Sequence, residues 1–257
     1  MNYIDTHCHL TDNRYKNADE IIKNLNNIKL AICVGYDYQS SVKGLEIAKK
    51  HDNIYCALGV HPHDCKTLTT KILDEFKELS NNKKVVAIGE IGLDFHYPGF
   101  SKTEQENAFI KQMELADFLS LPVIIHSRDC TEYLNNILVK NKHLLNNGGV
   151  MHCYSESAEL VKFYTNLGFK ISFAGPITYA GAKVPVLAVQ NTPLDKILSE
   201  TDCPYLTPQE KRGELNYPNY VEFVVKKMAA ILKISENMLN GIIYKNTLDV
   251  FKKIGAN

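Results

Sequence analysis

The chain has 257 residues, 45% of them hydrophobic and 23% charged, a make-up that fits an ordinary globular domain and excludes a disordered or coiled-coil protein. Its 29 basic and 29 acidic residues cancel, so overall charge cannot hold a polyanion and such a partner needs a local positive site. The start, MNYIDTHCHL, lacks the basic and apolar regions of a signal peptide, and no apolar run reaches the roughly 18 residues of a membrane span, so no membrane contact and a cytoplasmic location are expected.

In chain order, the pattern predicts strands over residues 3–9 and 29–35, a helix over 40–51 that opens on serines, and a strand over 54–61. A helix over 67–80, a strand over 84–90 and a helix over 101–119 follow, the last opening S-K-T-E in a capping-box pattern. A strand over 122–126 leads to a helix over 129–142, with Asp129 as the expected cap and a basic end that suits the helix dipole. Strands over 149–153, 169–174 and 197–201 follow, with Gly168 as a helix stop before the second of them. Pro218 is placed to open a helix reaching about 233, and a last segment covers 235–254. Runs such as LAICV, VVAIG and VIIH are unbroken apolar stretches, as parallel strands covered by helices require. Eight such alternations without a linker predict an α/β protein, a single TIM-type (β/α)₈ barrel domain over 1–257. Periodicity alone leaves a doubly wound open sheet as the alternative.

The residue types that bind metals cluster at the ends of these strands. On the first strand His7 and His9 share a face by the two-residue alternation, while Cys8 turns away. Glu90 ends an apolar run, where an unpaired carboxylate is costly to bury. His126, His152 and Asp202 end the fifth, sixth and eighth runs. In a barrel all these ends meet on one face. Four imidazoles and two carboxylates exceed the needs of one structural zinc and suit two bridged divalent cations. One cation would take His7, His9 and Asp202, the other His126 and His152, with Glu90 bridging. Imidazole-rich sites favour zinc, manganese or nickel over magnesium, which prefers oxygen ligands. No G-x-S-x-G elbow, P-loop or Rossmann fingerprint occurs, and the seven cysteines, without a C-x-x-C pair, read as reduced core residues.

Six blocks then carry a resemblance: I-D-T-H-C-H-L at 4–10, G-V-H-P-H at 59–63, G-E-I-G-L-D at 89–94, I-H-S-R-D at 125–129, M-H-C-Y at 151–154 and E-T-D-C-P-Y-L at 200–206. In this order they resemble the TatD family of the amidohydrolase superfamily. The resemblance implies a TIM barrel, metal-dependent nuclease activity on DNA, and the same six ligands, His7, His9, Glu90, His126, His152 and Asp202. It also implies that His61, His63 and Arg128 meet a substrate phosphate, and that magnesium or manganese supports activity. Asp202 and Glu90 are the expected catalytic carboxylates, single-stranded DNA or chain ends the expected substrate, and a monomer the expected state. A later segment, Arg212-Gly213-Glu214-Leu215-Asn216-Tyr217-Pro218, keeps the family's Arg, Asn and Pro but is less basic. Metal-activated water also serves ester and amide hydrolysis, so an aminoacyl-tRNA deacylase or a non-catalytic nucleic-acid binder stays open at this point.

Overall fold

The computed structural model describes residues 2–255. Its strands are β1 (Tyr3–Cys8), β2 (Ile28–Val34), β3 (Ile54–Leu58), β4 (Val85–Asp94), β5 (Val123–Arg128), β6 (Gly149–Met151), β7 (Phe169–Phe173) and β8 (Ile197–Ser199). Each pairs in parallel with the next, in chain order. Around them lie α1 (Ala18–Lys23), α2 (Tyr38–Lys50), α3 (Thr70–Leu79), α4 (Lys102–Phe118), α5 (Thr131–Lys140), α6 (Ala158–Asn166), α7 (Lys183–Asn191), α8 (Val221–Leu232) and α9 (Glu236–Val250). Every residue of β1, β4 and β7 is buried, as strands covered on both faces must be. No described helix is long and apolar enough to cross a membrane.

The sheet closes between the chain after β8 and the end of β1. Cys8 bridges Cys203 in parallel, the Asp202 N–H donates to the His7 carbonyl at 2.9 Å, and the His9 N–H donates to the Cys203 carbonyl at 2.8 Å. Side chains complete this seam. The Thr6 hydroxyl donates to the Ser199 carbonyl at 3.0 Å and the Ser199 hydroxyl to the Ile4 carbonyl at 2.9 Å. The buried Asp5 carboxylate accepts the Thr201 N–H at 2.9 Å and its hydroxyl at 2.6 Å. Closure therefore sets Asp202 beside His7, although 195 positions of sequence separate them.

Local chemistry starts most of the helices. Asp37 caps α2, and Ser40 closes a capping box with it. Ser101 accepts the Glu104 N–H at 3.3 Å, which is half of the box expected for α4. Asp129 does not cap α5. It adopts φ 52°, its carboxylate lies 2.6 Å from His96 Nδ1, and the helix opens after Cys130 with no side-chain cap. The pairing with His96 draws the carboxylate off the helix end.

Two buried glutamines give α4 a second task. Gln112 accepts the Val60 N–H at 2.8 Å and donates to the Val60 carbonyl at 3.0 Å. Gln105 does the same for Asp94, with both bonds at 2.9 Å. Seven residues apart, they share a helix face and grip the chain just past β3 and at the end of β4.

Candidate metal centre

Glu90 stands at the floor of a cavity of about 600 Å³ at the carboxyl ends of the strands. Its Oε2 lies 3.4 Å from His7 Nε2 and 3.5 Å from His9 Nε2, and Asp202 Oδ1 lies 3.8 and 3.2 Å from the same two nitrogens. Its Oε1 lies 2.8 Å from His126 Nδ1 and 2.9 Å from His152 Nε2. The two imidazole nitrogens within each pair are 3.2 and 3.3 Å apart. One carboxylate thus offers its two oxygens to two separate donor sets. The six predicted ligands meet in one place, and the donor groups close enough to share one ion include His7, His9 and Glu90 and, across the division read from the strand ends, His7, His152 and Asp202.

Backbone packing forces this arrangement on β4. A Cβ on Gly92, which has φ +141°, would sit 2.1 Å from the His126 carbonyl oxygen. One on Gly59 would sit 2.5 Å from the Gly89 carbonyl carbon. Glycine at these points lets β3, β4 and β5 close around the peptide that carries Glu90.

Two of the remaining ring nitrogens are turned to acceptors: His9 Nδ1 is 2.9 Å from the Val34 carbonyl and His126 Nε2 is 3.2 Å from Asp94 Oδ2. Such partners fix the tautomer and leave the opposite nitrogen with a free lone pair. His152 Nδ1 lies 3.4 Å from Glu200 Oε1 without a hydrogen bond, and His7 Nδ1 has no hydrogen-bond partner. Asp94 and Glu200 were given no role from the sequence. Asp94 was findable: four residues past Glu90 on one strand, it shares the inward face. Glu200 is fully buried and also accepts the Cys153 N–H.

Electrostatics test whether cations fit. Burial disfavours charge throughout the cluster, yet Asp202 and Glu90 push His9 up to about 9. Against the same burial, Asp94 and Glu90 raise His126, and Glu90 and Glu200 raise His152 well above its ordinary range. Burial also opposes ionisation of the two carboxylates, but the histidines hold Glu90 well below and Asp202 below the usual carboxylate range. The carboxylates therefore demand positive charge at the points where ring nitrogens converge. Divalent cations with imidazole and carboxylate ligands meet that demand, so the donor set fits the metals its composition implies.

His61 and His63 line the same cavity with Arg128. His61 Nδ1 accepts the His63 N–H at 3.2 Å, which assigns the proton to Nε2, 3.8 Å from Glu90 Oε1. Burial lowers its pKa to about 3, so His61 is a neutral N–H donor. His63 Nε2 lies 3.1 Å from Asp94 Oδ2. Arg128 is exposed at the rim. Asn216, from the late segment, donates to the carbonyls of Thr201 at 3.1 Å and Tyr205 at 2.6 Å, which fastens the loop carrying Asp202.

A parallel eight-stranded barrel with histidines and carboxylates gathered at its carboxyl face defines a class, the metal-dependent hydrolases of amidohydrolase type. Comparison narrows the class. The family model described as TatD related DNase matches residues 4–252, and the chain belongs to this family. It is 38% identical to the uncharacterized metal-dependent hydrolase YabD of Bacillus subtilis over 96% of this chain and 98% of that one. It is 31% identical to the uncharacterized metal-dependent hydrolase YcfH of Escherichia coli K12, over 98% and 96%. The crystal structure of YjjV, a TatD homologue from Escherichia coli K12, superposes with a TM-score of 0.91 at 27% identity, covering 97% of this chain and 98% of that one.

Proposed function

We propose that this metal-dependent hydrolase is a deoxyribonuclease that cleaves phosphodiester bonds at the ends of single-stranded DNA, acting as a monomer in a reducing, cytoplasmic compartment. The observation that carries the reading is Glu90, whose two oxygens serve two imidazole pairs at the floor of an open cavity. His7, His9 and Asp202 would hold one cation, His126 and His152 the other, with Glu90 between them. When bound, the cations acidify water and offset charge on the phosphoryl oxygens. Asp202 borders the cavity, and its carboxylate takes the proton of the attacking water. His61 donates its Nε2–H to a phosphoryl oxygen and stays neutral while doing so. His63 and Arg128 orient the phosphate from the cavity wall. The seven free cysteines suit a reducing compartment.

The test offers end-labelled single- and double-stranded DNA, an aminoacyl-tRNA and a model phosphodiester side by side, with EDTA and with added magnesium, manganese or zinc. Cation-dependent shortening of the DNA, lost in His126→Ala and Asp202→Ala, is the expected result. Deacylation without DNA cleavage under every cation refutes it.

A further inference from the structure

Only three of the 29 basic residues are arginine: Arg14, Arg128 and Arg212. All three are exposed, and each lies over a tyrosine ring. The guanidinium carbon is 3.9 Å from the ring centroid for Arg14 on Tyr205, 5.0 Å for Arg212 on Tyr179 and 5.3 Å for Arg128 on Tyr97. All six residues sit at or beyond the carboxyl ends of strands, on the face that holds the metal centre. Arg14 follows β1 and Tyr205 follows β8; Tyr97 follows β4 and Arg128 ends β5; Tyr179 follows β7 and Arg212 lies between β8 and α8. In a ring of eight strands the β8/β1 and β4/β5 seams are opposite one another. The Arg14–Tyr205 and Arg128–Tyr97 pairs therefore flank the mouth, and both Tyr205 and Arg128 line the cavity.

The Arg14 pair is locked in place. Its Nε and Nη2 donate to Asp12, both at 2.8 Å, and the Tyr205 hydroxyl donates to the same carboxylate at 3.3 Å. Three of the five guanidinium hydrogens stay free for an anion. Tyr97 and Tyr205 are 50% and 47% exposed, so each keeps ring surface for a flat partner. A chain that uses lysine for charge everywhere else has reserved arginine for places where a planar fork is stacked on an aromatic ring, the combination that grips phosphate and receives bases.

We propose that the three arginine–tyrosine pairs form a rim that binds a single-stranded polynucleotide across the cavity mouth, with bases stacked on Tyr97 and Tyr205 and flanking phosphates held by the arginines. This rests on the nuclease reading above and adds the surface that holds its single-stranded substrate. Bases paired in a duplex offer no free face, so the rim selects single strands. It also explains how a chain of zero net charge holds a polyanion: the attraction is confined to the mouth.

The test measures fluorescence anisotropy of phosphorothioate oligothymidylates, from dimer to dodecamer, on the manganese-loaded full-length protein. Affinity should rise with length. Tyr97→Leu and Tyr205→Leu should each weaken dodecamer binding by about tenfold, within the range of base–aromatic stacking. Tyr205→Phe, which keeps the ring, should stay near wild type and excludes misfolding as the cause. Arg14→Lys and Arg212→Lys keep the charge and should still lose several-fold, while hydrolysis of bis(p-nitrophenyl) phosphate, too small to reach the rim, is unchanged. Length-independent affinity, or lysine variants that bind like wild type, overturns the proposal. Length-dependent binding with no diester hydrolysis by wild type supports the rim and counts against the hydrolytic reading alone.

Discussion

Replacing Gln105 with leucine tests whether α4 holds the metal centre in place. The substitution keeps the size of a buried side chain and removes both bonds to Asp94, each 2.9 Å long. Asp94 is 1% exposed, so its N–H and carbonyl would face no water. An orphaned buried backbone group costs about 1–3 kcal/mol, which gives a loss of about 2–6 kcal/mol for the pair. That is a large share of the roughly 5–15 kcal/mol that holds a domain together. At about 2–4 °C per kcal/mol for a chain of this size, the thermal midpoint should fall by about 4–24 °C. Gln105→Glu should fall by about half as much, because a carboxylate still accepts the Asp94 N–H but cannot donate to the carbonyl. Differential scanning calorimetry at neutral pH gives the values. A fall below about 2 °C for leucine, or a glutamate variant as unstable as leucine, would refute the clamp.

Two further predictions concern carboxylates. Asp94→Asn should weaken the affinity for manganese about 10–100-fold, because the Asp94 carboxylate lies 3.2 Å from His126 Nε2 and sets the tautomer of that ring; an isothermal titration unchanged from wild type removes Asp94 from that role. The Arg14 fork holds the Asp12 carboxyl down at about 2 against its ordinary 3.8, so the pair stabilises the fold above the higher value and that stabilisation fades as pH falls through the lower one. Urea midpoints of wild type and Asp12→Asn should therefore differ at mildly acidic pH and converge as the medium approaches pH 2; a gap that stays constant would show that the pair does not titrate as the structure implies.

Strands such as β2, β4 and β5 were legible because they carry the apolar runs LAICV, VVAIG and VIIH; Glu90, His126, His152 and Asp202 stood out because each follows such a run, and His7 and His9 because they alternate on one strand face. What lay beyond those runs was harder to read. The fourth strand continues past Glu90 to Asp94, because Gly92 answers to the close approach of β5 and does not mark a break. Helices α1, α6 and α7 have six, nine and nine residues, too short for a clear period, and packing sustains them. In α4, Gln105 and Gln112 look like solvent-facing residues in the sequence but point inward to backbone partners that no helical pattern announces. Glu200 was hidden for a related reason. Its neighbours are His152 and the Cys153 amide, which only closure of the barrel brings to it.

The balance of charge inside the cavity bears on how substrate and metal depend on each other. Of the residues lining it, Asp64, Glu90, Asp94 and Asp202 carry carboxylates, offset at the floor by the raised His9, His126 and His152, while Arg128 alone carries a guanidinium, at the rim. On the proposed reading, a phosphodiester would reach Glu90 once divalent cations outweigh those carboxylates. Metal binding and phosphate binding are then two halves of one equilibrium, and each must strengthen the other by the same factor. In the proposed nuclease the two parts would divide the work: the arginine rim would hold the strand, and the carboxylate floor would receive the scissile phosphate once loaded with cations.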